Sequence, residues 1–236
     1  ALFDKHVSYL TGILDSAGAT YTKTSDGAGG YTITMPENTN YIGQPTRLNG
    51  EIKPLLDRKL WSEPADIVVN QHNSGKPIFP FVVMTAAESH FMIAEAITKG
   101  LASGNAQDHY QTAIRHAMQL WDVAGGDIDT YLANEDMAKL NGSTDQNLEK
   151  IATQRWMALF TNGFEAWAVV RDTGYPTELS AGVSDDDIFV LGDLNGAYPQ
   201  RMRYGSGPYN TNAANVEAAA SVQGPDRQGT KLWWAK

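Results

Sequence analysis

Two stretches of this chain set charged side chains among large rings. The run IATQRWMALFTNGFEAWAVVRD carries Gln154, Arg155, Glu165 and Arg171 interleaved with Trp156, Phe160 and Trp167. Further on, Arg201 and Arg203 stand near Tyr198 and Tyr204. A carboxylate beside a guanidinium can work as an acid–base pair. Among so many apolar neighbours, the same residues fit better as an ion-pair network that fixes two helices. Arg201 and Arg203 read the same way.

Other chemistry is thinly represented. There are five histidines, but His109 and His116 lie two helical turns apart, not the single turn that H-E-x-x-H chelation needs. His90 is by default a packed or solvated imidazole. Asp185-Asp186-Asp187 offers oxygens for calcium, yet it lacks the alternating spacing of a calcium loop and runs into the apolar FVLG, so it reads as a solvated turn. Asp127 and Asp129, after a Gly pair, are ambiguous in the same way. G-x-S-x-G, P-loop and dinucleotide fingerprints are missing. Spacing alone identifies no carboxylate pair for glycoside hydrolysis. Without cysteine there is no disulfide, thiolate ligand or cysteine nucleophile, which leaves the redox compartment open. The expectation is no catalytic group, no metal and no cofactor.

Binding chemistry is better supplied. The long, poorly regular region before residue 80 holds Tyr31, Tyr41, Trp61 and Phe79, with Tyr41 and Trp61 among Asn38, Asn40, Gln44 and Asn49. Flat rings stack on the C–H faces of sugars, and amides both donate to and accept from hydroxyls. Tyr41, Trp61, Tyr31 and Asn40 are therefore the candidate ligand-binding residues. An equal alternative is that Trp61, preceded by Leu55, Leu56 and Leu60, anchors a short helix to the core.

The element that must position all this runs from Met84 to Trp121. Met84, Ala87, Phe91 and Ala94 make one helical stripe, and Tyr110, Ala113, Ile114, Ala117 and Trp121 make another. Gly100 and a Ser/Gly/Asn linker between them leave room only for an antiparallel return. Ala106, Tyr110 and Ala113, with Ile93, Ala94 and Ile97, match the small–aromatic–small spacing of a tetratricopeptide hairpin. The predicted fold is mostly α, with tetratricopeptide-like helical hairpins and long ordered loops. Residues 1–80 are predicted as an irregular, loop-rich segment, 81–175 as the helical hairpin core, and 176–236 as a loop-rich C-terminal wrap.

Within this scheme an N-terminal helix buries Leu2, Val7, Leu10 and Leu14, and Tyr31–Met35 is a short strand. Gly125-Gly126 ends a helix, and Asp145 caps the next one. Trp156 and Trp167 are core residues. With 236 residues the chain is one large domain or two small ones. No run approaches the length of a membrane span, and the net charge of -9 disfavours nucleic acid or anionic lipid as main partner. The opening residues lack the pattern of a signal peptide and read as a helix entered in mid-domain, as in a fragment or trimmed product.

Three motifs together resemble the SusD/RagB family of outer-membrane nutrient-binding lipoproteins, in its starch-binding, SusD-like branch. The first is Pro77 to Gly100, with Met84, Ala87, Glu88, Phe91, Ala94, Glu95 and Ala96 in place. The second is the run from Ile151 to Pro176, through Gln154, Arg155, Asn162, Gly163, Glu165, Trp167, Arg171, Gly174 and Tyr175. The third is Tyr198-Pro199, Arg201-Met202 and Tyr204, an Asn-rich stretch, then Trp233-Trp234. Tyr204-Gly205-Ser206-Gly207 departs from the family's usual Tyr-Pro and Glu, and Asp172 stands where a second Arg is common.

The resemblance implies that the chain is the C-terminal portion of a longer, surface-exposed protein of the cell outer membrane. The signal peptide and lipid anchor would lie outside this sequence. It implies capture of an oligosaccharide and delivery to a SusC-like TonB-dependent transporter, without catalysis. The alternatives are a helical-repeat interaction scaffold or a binder of a non-sugar nutrient such as a peptide.

Overall fold

The computed structural model describes residues 2–25, 27, 31–35, 41–43, 48–50, 61–69, 74–77 and 79–235, with side chains from residue 5 onward. The chain divides into two compact units, Ala1–Pro80 with Val183–Gly196, and Phe81–Gly182 with Ala197–Lys236.

The first unit is built on α1 (Leu2–Ser16). Val7, Leu10 and Leu14 recur at i, i+3 and i+7, and all three are buried. Leu10 and Leu14 pack with Ile42 and Trp61, and Ile13, Ile33 and Met35 lie against them. The side chain of Leu2 lies outside the described residues. An antiparallel hairpin follows, β1 (Thr22–Ser25) and β2 (Tyr31–Thr34), so the expected strand ends one residue early. The single turn α2 (Asp66–Val69) comes after Pro64. Residues from late in the chain complete this unit. Phe189 forms an isolated bridge with Leu48 and meets Tyr9 edge-on, while Lys5 bonds both Asp185 and Asp187.

The second unit is helical. In α3 (Ala86–Thr98), Thr85 caps the start by accepting from the Glu88 N–H, and Gly100 turns the chain at φ 72°. In α4 (Ala106–Leu120), Asn105 caps the start through the Gln107 N–H. Phe91, Ala94, Tyr110 and Ala113 are fully buried between these two helices, and the Phe91 and Tyr110 rings meet edge to face at 6.0 Å. Small alanines let the backbones approach while the rings fill the space beside them. Ile93 departs from the expected packing and is exposed.

Ile128 and Leu132 of α5 (Gly125–Asn134) and Ile151 of α6 (Thr144–Ala158) complete the same core. The Tyr110 hydroxyl sits between the carbonyls of Met137 and Lys150. Then α7 (Gly163–Thr173), capped by Asn162 and closed by Gly174 at φ 77°, packs on α6, and the turn α8 (Thr177–Ser180) follows.

Four expectations need correction. Gly125-Gly126 opens α5 rather than ending a helix, because α4 has already stopped and Asp122 takes the left-handed conformation at φ 56°. The cap of α6 is Ser143, not Asp145, since Ser143 and Gln146 form a reciprocal capping box. The supposedly loop-rich tail contains α9 (Ser206–Gln223), kinked at Asn212. Its Gly and Pro sit at the helix start, where they are tolerated, and alanines carry the rest. Trp156, against the α6–α7 packing, and Trp167, bonded to the Pro199 carbonyl, are half-buried rather than enclosed.

Candidate functional site

The face of α1 opposite its buried stripe carries Ser8, Gly12 and Ser16 at i, i+4 and i+8, which stacks them along one line. Beside them stand Tyr9, Ile13, Ala17 and Gly43, and together these residues line an open groove of about 510 Å³. A Cβ at Gly12 would meet no atom of the described residues within 4 Å, so their packing does not require glycine at this position. The Ser16 hydroxyl donates to the Gly12 carbonyl at 2.7 Å, leaving its lone pairs as acceptors. Tyr9 forms a half-buried wall, steadied edge-on by the Phe189 ring at 5.4 Å, and burial raises its hydroxyl pKa above the ordinary value.

The segment 41–43 alternates outward and inward beside this groove. Ile42 is buried, while Tyr41 is 92% exposed and Gly43 lines the groove. Ile42 is held at both its backbone groups by Ser62, next to Trp61.

The sequence-derived site residues therefore separate. Tyr41 presents its ring to solvent. Trp61 is 9% exposed and belongs to the core with Leu10, Leu14 and Ile42, so it anchors the loop rather than offering a face. Tyr31 is half-buried, and one face of its ring is taken by the Lys23 ammonium at 4.3 Å. Asn40, with Asn38 and Gln44, lies outside the described residues. The Asn49 side-chain amide is spent on the Asp187 carbonyl. Tyr9, Ser8 and Ser16 were not singled out from sequence. The i, i+4, i+8 spacing of small polar residues was the available signal, and a solvated helix face shows the same pattern.

A second groove, about 350 Å³, lies in the other unit between Trp167, Arg171, Tyr204, Gln223 and Leu232. Most of its polar groups are engaged, although the buried Arg201 Nη1 has no hydrogen-bond partner among the described residues. The indole N–H of Trp167 donates to the Pro199 carbonyl at 2.8 Å, and Arg171 lies over that ring while donating to the Gln200 carbonyl. Buried Arg201 pairs with buried Asp226 at 3.0 Å and lies over the Tyr204 ring. Asp226 also accepts from the Tyr209 hydroxyl and the Tyr204 N–H. This is a clasp that ties the segment 199–204 to α7; Arg201 sits in a buried ion pair as expected, whereas Arg171 bonds a carbonyl rather than a carboxylate.

The rest of that network is looser. Arg155 stands 3.6 Å from Glu95 and 3.9 Å from Glu88, Gln154 donates to the Tyr131 hydroxyl, and Glu165 is exposed. The Asp185–Asp187 turn, expected to be simply solvated, holds an ammonium. Lys5 bonds Asp185 at 2.9 Å and Asp187 at 2.8 Å, and this bonding draws the Asp185 carboxyl below its ordinary pKa.

Comparison with known proteins places these features. The profile of a SusD-like family, described as starch-binding and associating with the outer membrane, matches residues 33–205. A SusD homologue from Bacteroides uniformis is 32% identical, with a TM-score of 0.56 over 66% of this chain and 37% of its own. A chitin-binding SusD homologue from Flavobacterium johnsoniae is 25% identical, with a TM-score of 0.55 over 65% of this chain and 36% of its own. A SusD homologue from Bacteroides fragilis, 24% identical, shares the fold over 100% of this chain and 51% of its own, with a TM-score of 0.67. The chain thus spans between 36% and 51% of the length of the latter two. No curated protein sequence matches it.

Proposed function

The chain belongs to the SusD-like family, and from that premise we propose that it binds an oligosaccharide at the outer membrane for uptake, in the groove along α1. The observation that carries this reading is the pairing of hydroxyl and ring surfaces there. Ser8, Ser16 and Tyr9 line the groove, and exposed Tyr41 lies two residues before the lining Gly43. A pyranose ring has an apolar face for a Tyr ring and hydroxyls for Ser oxygens, and an open groove accepts a chain longer than one sugar. The chitin-binding relative supports a β-linked amino sugar as one ligand class, and the family description supports an α-glucan as another.

Capture rather than turnover is proposed, with surface exposure and release to a SusC-like TonB-dependent transporter as the onward step. Calorimetry with malto-oligosaccharides and chito-oligosaccharides, with product analysis on the same samples, tests both parts. Saturable binding without cleavage is expected. Failure of both sugar series to bind would overturn the glycan reading and leave the peptide-nutrient or scaffold alternative. Cleavage lost on substituting one carboxylate would make the protein an enzyme. Co-purification with a TonB-dependent transporter tests delivery.

A further inference from the structure

Three imidazoles meet where α3 crosses α4. His109 and His116 share one face of α4 at i and i+7, and His90 of α3 lies against both, with ring centres 5.1 Å and 5.8 Å away. The His90 and His109 Nδ1 atoms are 2.9 Å apart. At that distance one nitrogen presents a lone pair and the other a single proton, so two N–H groups cannot face each other there. With that proton gone, an ion set to one side of the N–N line would take a lone pair from each ring, each ring turning so that its lone pair meets the ion.

From this geometry we infer that His90 and His109 form a two-imidazole site for a tetragonal divalent metal ion, best filled by Cu(II). Two nitrogens held cis at about 2.0 Å from a tetragonal ion stand about 2.8 Å apart, whereas a tetrahedral ion holds them about 3.3 Å apart. The observed 2.9 Å matches the first separation, so the rings must turn toward the ion but the helices need not move apart.

Cu(II) also leads the divalent affinity order for nitrogen donors. The site is pre-organised, because its two ligands belong to helices locked by the Phe91–Tyr110 core, and both rings are half-buried. Exposed His116 borders the pair, so water can fill the remaining positions from its side. With no cysteine in the chain, no thiolate competes for the ion. His6 is engaged elsewhere, with its Nε2 3.1 Å from the Asp187 carbonyl.

One equivalent of Cu(II) added to the 236-residue chain in a non-chelating buffer, read by electron paramagnetic resonance, tests this. The expected result is an axial spectrum with hyperfine coupling to two imidazole nitrogens. His90→Gln and His109→Gln should each weaken binding at least about tenfold, the loss that even an outer-sphere partner causes. His6→Gln should leave it unchanged. A wild-type spectrum without imidazole coupling overturns the assignment regardless of how the variants fold. So does wild-type affinity in either substituted, folded protein as checked by circular dichroism.

Discussion

Ile42 and Ser62 hold each other across the loop beside the groove. The Ile42 N–H donates to the Ser62 hydroxyl oxygen at 2.9 Å, and the Ser62 N–H donates to the Ile42 carbonyl at 2.9 Å. Trp61, immediately before Ser62, is buried with Ile42. One anchor therefore fixes a segment whose next side chain outward, Tyr41, touches solvent.

Tyr41 and Trp61 should respond in opposite ways to truncation. Tyr41→Ala removes an exposed ring, so stability should stay within about 0.5 kcal/mol while oligosaccharide affinity falls by about 1–3 kcal/mol, as for other aromatic stacking platforms. Trp61→Ala opens a core cavity and should cost about 3–5 kcal/mol of folding stability. Urea titration beside calorimetry separates them. Equal effects on both readouts for both variants would refute the division of roles.

Gly12 offers a sharper test. Replacing a helical glycine by alanine removes backbone entropy from the unfolded chain, and no atom of the described residues lies within 4 Å of the added Cβ. Gly12→Ala should raise stability by about 0.5–1 kcal/mol. Gly12→Leu should fold as well as Gly12→Ala but fill the groove and abolish sugar binding. Binding untouched by Leu at this position would move the site elsewhere.

The Arg201–Asp226 pair is a structural clasp, so breaking one half should be costly. Arg201→Met leaves a buried carboxylate without its cation and should lose about 3–5 kcal/mol. The double variant Arg201→Met, Asp226→Asn should recover part of that loss. Thermal melting of the two proteins checks the order, and a single variant as stable as wild type would place the pair at the surface.

Acid should weaken the α3–α4 hairpin through His90. Burial, with the neighbouring His109 and His116, holds its pKa below the ordinary imidazole value. The folded protein therefore keeps the ring neutral at a pH where the unfolded chain takes up a proton. Stability is complete above about pH 6.5, the unfolded value, and declines as the pH falls below it. Urea midpoints at pH 7.5 and 5.5, measured with a chelator present, should fall more for wild type than for His90→Gln. Equal falls would assign the acid sensitivity to other groups.

The hairpin was legible because its determinants are local. Ala87, Phe91 and Ala94 repeat at helical spacing, and Gly100 and Asn105 bracket the turn where a left-handed residue and a cap are needed. The start of α6 was harder, since Ser143 and Asp145 are both good caps and only the reciprocal bond with Gln146 decides between them. The start of α9 hid behind Gly205 and Pro208, which mark loops as often as helix starts. At the site, Tyr41 and Trp61 are alike as residue types. What separates them is tertiary packing against Leu10 and Leu14, which composition does not carry. The convergence of His90 with His109 was likewise out of reach, because spacing along one helix says nothing about a partner on the next.

The bond from Lys5 to Asp187 joins residues 182 positions apart. The unit that holds the groove is therefore discontinuous, and residues 183–196 are synthesised only after helices α3–α8. Closing so long a loop is entropically dear and slow, whereas the α3–α4 hairpin closes locally. Assembly on the ribosome is then ordered, with helices α3–α8 available before the unit that holds the groove can close. A chain arrested before residue 183 should accordingly be able to form the scaffold while its binding surface stays incomplete.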